Sequence, residues 1–256
     1  MAKTLGVLDG PPKGLALIVR LVTSPELSGM TIVGAGAFNP AIIHPQWLAE
    51  KGLIPESVAE HALTQEAQQL IISQQLTVFV GDWLSVRVTP QQAIFSTVDE
   101  GRALDLRDFA HGVFDLLPET PVDALGINSD THFRTESETA WHEFGDRFLP
   151  KEFWEPLFES GNWKERPDGK RVGMRVMTVE VYRDNDELPG YLRIELAPSV
   201  RTTPNGVYIG INDHYDLTIE GGRRATAVDA MRVLIDQWDV VRDLEDRLVA
   251  QLLEAV

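Results

Sequence analysis

Residues 76–133, LTVFVGDWLSVRVTPQQAIFSTVDEGRALDLRDFAHGVFDLLPETPVDALGINSDTHF, decide the fold. Residues 76–88 alternate around Trp83, with Leu84, Val86 and Val88 on one face, as a half-buried strand does. Thr89-Pro90 stops that run, and residues 92–98 return as its hairpin partner. Leu106, Phe109, Val113, Phe114 and Leu117 then recur at helical spacing, which predicts a helix over 104–117 that ends at Pro118. Residues 122–133 come back as a strand. Strand, hairpin, helix and strand in this order describe an antiparallel sheet with its helices on one side, not an alternating parallel α/β chain.

The same grammar extends in both directions. Residues 15–22 and 31–38 read as strands. Short helices follow Pro45 and Pro55, since proline suits the first turn of a helix. The middle, 136–170, is aromatic and irregular, with Trp141, Phe144, Phe148, Phe153, Trp154, Phe158 and Trp163. Beyond it, 175–182 and 191–196 alternate as a hairpin, 207–219 reads as a strand, and 225–255 as a long helix. The segment Leu125-Gly126-Ile127-Asn128 resembles Ile209-Gly210-Ile211-Asn212. The expected fold class is therefore α+β: a mainly antiparallel sheet, helices packed on one face, and a long C-terminal helix. It forms either one domain or two intimately packed, related halves, about 1–135 and 136–256.

Composition removes several function classes. The 256 residues are 43% hydrophobic and 24% charged, ample for a core without staples. Cysteine is absent, which excludes disulfides, thiolate metal sites and a thiol nucleophile, and fits a reducing, cytoplasmic setting. The 39 acidic and 23 basic residues leave a net charge of −16, unfavourable for nucleic acid or an anionic membrane surface. Basic residues concentrate only at Arg223-Arg224 and over 164–171. The apolar run at 15–19 is far shorter than the ~18 residues of a membrane span.

Trp83-Leu84-Ser85-Val86-Arg87-Val88-Thr89, Leu106-Arg107-Asp108, Thr120-Pro121-Val122 and Gly126-Ile127-Asn128 resemble a sporadically distributed bacterial protein family of similar length. Trp141-His142-Glu143-Phe144-Gly145-Asp146 and Asn212-Asp213-His214-Tyr215 add to the resemblance, which spans residues 76–216. It implies no catalytic residue. Its sporadic distribution implies an accessory role, such as a component of a defence or mobile-element system.

Chemistry-bearing residues are few. His132, His142, Asp146, Asp213 and His214 form the candidate acid–histidine set. His142-Glu143-x-x-Asp146 is one residue away from the zinc-protease pattern H-E-x-x-H, but the missing histidine is a ligand in that chemistry. Gly145 also weakens the helix that the spacing requires, so polar packing is the reading taken and no metal or cofactor is expected. Alternation sends Asn212, His214 and Asp216 to one strand face, Asp213 and Tyr215 to the other. No G-x-S-x-G, Walker A or G-x-G-x-x-G motif is present.

The C-terminal helix carries a heptad-like stripe: Ala227, Met231, Leu234, Trp238, Val241, Leu248 and Leu252, with Glu245 breaking the seam and Leu244 covering part of the break. Its second half is expected to run past the sheet and need another surface. Trp238, Val241, Leu244, Leu248 and Leu252 are accordingly the candidate partner-binding residues of a homodimer or hetero-complex. The expected function is a non-catalytic binding or assembly subunit of a prokaryotic cytoplasmic complex. A hydrolase built on the acid–histidine set and a phage or particle structural protein are the alternatives.

Overall fold

The computed structural model describes residues 25–64, 70–158, 172–185, 187–218 and 222–254. The strand expected at 15–22, the basic run 164–171 and Trp163 lie outside them. The fold is α+β. Nine strands form one sheet in the order β2-β3-β4-β5-β1-β6-β9-β8-β7, where β1 is Leu27–Gly36, β2 Ile71–Ile72, β3 Thr77–Val80, β4 Ser85–Thr89, β5 Gln92–Thr97, β6 Val122–Arg134, β7 Met177–Tyr182, β8 Gly190–Pro198 and β9 Gly206–Asp216. Every neighbouring pair is antiparallel. The helices are α1 (Pro45–Glu50), α2 (Glu56–Leu63), α3 (Ala103–Leu116), α4 (Glu138–Phe148), α5 (Lys151–Trp154) and α6 (Ala227–Glu254).

Two sequence expectations need correction. Residues 76–88 are not one strand but a hairpin, β3 and β4, in which Phe79 pairs with Val86 and the Gly81 amide donates to the Leu84 carbonyl. The turn shifts the buried parity, from Thr77 and Phe79 before it to Leu84, Val86 and Val88 after it, as a change of strand requires. The central segment is not irregular where it is described. Ser137 Oγ accepts from the Ala140 amide and starts α4, which buries Phe144 against Phe133, ring centroids 5.8 Å apart.

Strand alternation gives the sheet two unlike faces. Ile32, Phe95, Leu125, Ile127, Ile209, Ile211 and Tyr215 point to the helices and are buried. They fall into two hydrophobic clusters. The larger holds α1, α2, α3 and the first half of α6, down to Trp238 and Val241. The smaller holds Phe133, Phe144, Leu196, Val207, Ile209 and Ile211, with Leu248, Val249, Leu252 and Leu253 from the end of α6 packed on it. The second half of α6 therefore does not run past the sheet. On the opposite face β6 and β9 present Asn128, Asp130 and His132 beside Tyr208, Asn212 and His214. The two Gly-Ile-Asn stretches lie side by side, Asn128 directly opposite Asn212, Gly126 opposite His214 and Gly210 opposite Asp130.

Candidate functional site

The densest polar stretch of the sequence is divided by β9. Asp213 pairs with Ile127 and Leu192 and enters the helix-covered face; His214 pairs with Gly126 and Tyr191 and enters the other. Asp213 is 1% exposed. Arg183, just past β7, donates from Nη2 to Asp213 Oδ1 and stacks 4.4 Å over the Tyr215 ring. Burial pushes the Asp213 carboxyl above its usual range, and the Arg183 guanidinium, with the nearby Tyr215 hydroxyl, offsets only part of that. Burial, with Asp213 nearby, also drives the Tyr215 hydroxyl upward.

A second buried acid descends from α6 onto the same place. Glu245, the residue that breaks the helix stripe, is 3% exposed and its carboxyl is pushed up to about 7, chiefly by burial. Ser129 and Arg242 pull it down; Asp213 pushes it further up. Arg242 Nη1 donates to Glu245 Oε2 at 3.0 Å, and Nη2 donates to Glu100 Oε1 at 2.9 Å. Glu245 Oε1 is buried and meets no donor in good hydrogen-bond geometry among the described residues, with the Ser129 hydroxyl lying near the carboxyl. A buried carboxyl oxygen left in this state is costly, so it marks a place with unspent binding capacity. Ser129, Asp213, Glu245 and Arg242 make a polar band between the two hydrophobic clusters.

Beside that band, a cleft of about 290 Å³ opens between the second half of α6 and strands β1 and β6. Glu245, Arg242 and Ser129 line it with Met30, Val249 and Leu253, so one side is polar and the other apolar. This mixture is the usual character of a small-molecule site.

The acid–histidine set does not assemble. His142 and Asp146 do lie four residues apart on α4, but the Asp146 carboxylate accepts from Lys151 Nζ, while His142 lies 3.7 Å from Glu138 Oε1. Asp213 faces the helices, and His214 stacks on Tyr191 on the opposite side, ring centroids 4.5 Å apart and 18° from parallel. Arg193 sits 4.7 Å over the same tyrosine. Among the described residues no three His, Asp or Glu side chains are grouped to hold a metal ion. His132 has different company. Ser199 Oγ accepts from the Arg201 and Thr202 amides, so its own proton is directed at His132 Nδ1, 2.8 Å away. That leaves the imidazole proton on Nε2, facing Asp130 Oδ2 at 3.4 Å. Burial holds His132 below the ordinary histidine range.

Of the partner-binding candidates, Trp238 and Val241 are buried in the larger cluster and present no surface. Leu248 and Leu252 pack on the smaller one, and Leu244 is half-buried. The basic pair is engaged too: Arg223 donates to Asp229 and Arg224 to Asp123. Sequence reading noticed Glu245 only as a flaw in a stripe; a lone acid at a seam position of an otherwise apolar helix was the available signal. Nothing in the sequence singled out Arg183 or Ser199. No helix among the described residues is long and apolar enough to cross a membrane. No protein-family model matches the chain, and a search of characterised proteins finds no match.

Proposed function

We propose that the chain is a non-catalytic binding subunit of a prokaryotic cytoplasmic complex and that it takes a small ligand in the cleft beneath α6. The observation that carries this reading is the unpartnered, buried Oε1 of Glu245 at a cleft with one polar and one apolar wall. Of the partner-binding candidates only Leu244 belongs to neither cluster and keeps some surface, and it lies four residues from Val240, which is 56% exposed, so this flank of α6 is the one offered to a protein partner or second copy. The accessory role in defence or mobile elements rests on the family resemblance alone. A fragment screen by thermal shift tests the cleft. Fragments that raise Tm of the wild type should lose their effect in Glu245→Gln and in Val249→Trp, which fills the cleft. Hits indifferent to both variants would place binding elsewhere and end the reading.

A hydrolase reading is favoured by one arrangement, the Ser199–His132–Asp130 relay. Against it, Ser199 is buried and both its lone pairs accept backbone amides, which leaves none for attack on a carbonyl. Covalent labelling by a fluorophosphonate probe, abolished by Ser199→Ala, would reverse this preference.

A further inference from the structure

We infer that the cleft beneath α6 selects a small aliphatic primary ammonium, with the cationic head on Glu245 Oε1 and the hydrocarbon tail along Met30, Val249 and Leu253. The inference rests on the binding reading above and adds the ligand class.

Charge decides the class. Three carboxyl groups come to the cleft: Glu100 from the turn before α3, and Glu245 and Asp246 from α6. Arg242 is the only cation among the lining residues, and it is already engaged by Glu100 and by Glu245 Oε2. An anionic ligand would therefore enter against an excess of negative charge, and a neutral one would leave that charge unanswered. A second guanidinium or ammonium answers it. An ammonium carries three donors and no acceptor, which suits Oε1 together with the Ser129 hydroxyl oxygen. The apolar wall excludes a bare metal ion as the natural occupant, because it offers no oxygen to complete a coordination shell.

The inner carboxyl must be ionised to bind a cation, and burial makes it hold its proton to about pH 7. Arg242 and Asp246 face it from α6, Glu100 from the turn before α3, Ser129 from β6, and Asp213, itself paired with Arg183, from β9. Ammonium binding therefore expels a proton at pH 6 and little or none at pH 8. The sign follows from linkage: the ligand favours the ionised form, so its affinity rises with pH until Glu245 is ionised in the free protein.

Isothermal titration of the full chain with hexylamine, hexanol and hexanoate tests this. Hexylamine should bind roughly tenfold more tightly at pH 8 than at pH 6, with proton release at pH 6 read from two buffers of different ionisation enthalpy. Glu245→Gln should weaken it at least tenfold at pH 8 and flatten the pH dependence; circular dichroism confirms that the variant is folded. Hexanol should bind weakly and equally to both proteins. If hexanol or hexanoate binds as tightly as hexylamine and loses binding in Val249→Trp, the class is wrong while the cleft stands. If none of the three binds, or hexylamine binding ignores Glu245→Gln, the inference falls.

Discussion

Asp213 and His214 are neighbours in sequence and opposites in circumstance. The first lies under the helices, 1% exposed, held by Arg183 and Tyr215; the second lies on the other face of β9 with its ring flat on Tyr191. The helix-side group has no water to fall back on, so losing its partner leaves a buried charge unanswered. The open-side group can rehydrate. Polarity in a strand thus has consequences set by parity: one residue's shift changes a polar contact from a condition of folding into an adjustable surface.

That contrast is broken or sharpened most strongly at Asp213. Asp213→Ala strands the Arg183 guanidinium, and should cost about 2–4 kcal/mol in urea unfolding. A loss no larger than that of an open-face variant would erase the distinction between the two sides. Glu245→Gln should act in the opposite direction. The folded protein favours the protonated Glu245, so this carboxyl contributes stability below its ordinary value of 4.5 and loses it as pH rises through about 7. At pH 8 the variant should be about 1–3 kcal/mol more stable than the parent, or roughly 2–4 °C in Tm per kcal/mol, and at pH 4.5 the advantage should vanish. An advantage independent of pH would mean the carboxyl is not titrating in the band.

Smaller effects are expected on the face away from the helices. His132 is kept neutral by burial, so stability should fall as pH drops below 6.5, where the unfolded chain takes the proton first. His132→Gln should remove that acid limb from the pH–stability curve. Tyr191→Ala, which loses the His214 stack and the Arg193 contact, should cost only about 0.5–1.5 kcal/mol by the same unfolding measurement.

Much of this architecture is legible in the residues, for a physical reason. Leu84, Val86 and Val88, then Leu106, Phe109 and Val113, carry periods of two and of 3.6 that only a strand and a helix can bury on one side. The turn at Gly81 shows only as a change of parity, buried Thr77 and Phe79 before it and Leu84, Val86 and Val88 after it, with a single glycine and aspartate to mark it. The division of Asp213 from His214 also follows from alternation. The polar band does not. Arg183, Ser129 and Glu245 come from three segments far apart in sequence, and no spacing rule brings a loop, a central strand and a helix to one point. Glu245 looks like a defect in a coiled-coil seam because, along α6 alone, nothing tells which surface the stripe meets. Once Leu248 and Leu252 are seated on the sheet, the same residue becomes the only seam position that faces Ser129 and Asp213.

The polar band also cuts α6 in two without breaking its backbone. Up to Val241 the helix is anchored in the larger cluster; from Leu248 onward it rests on a much smaller one built around Phe133, Phe144 and the ends of β8 and β9. Between them lies a turn held by charges, whose attraction weakens as water enters. Native-state amide exchange should therefore report two cooperative units within a single helix, the turns after Glu245 opening at lower free energy than those before Val241. The cleft sits at that seam, so an occupant would slow exchange of the outer unit first.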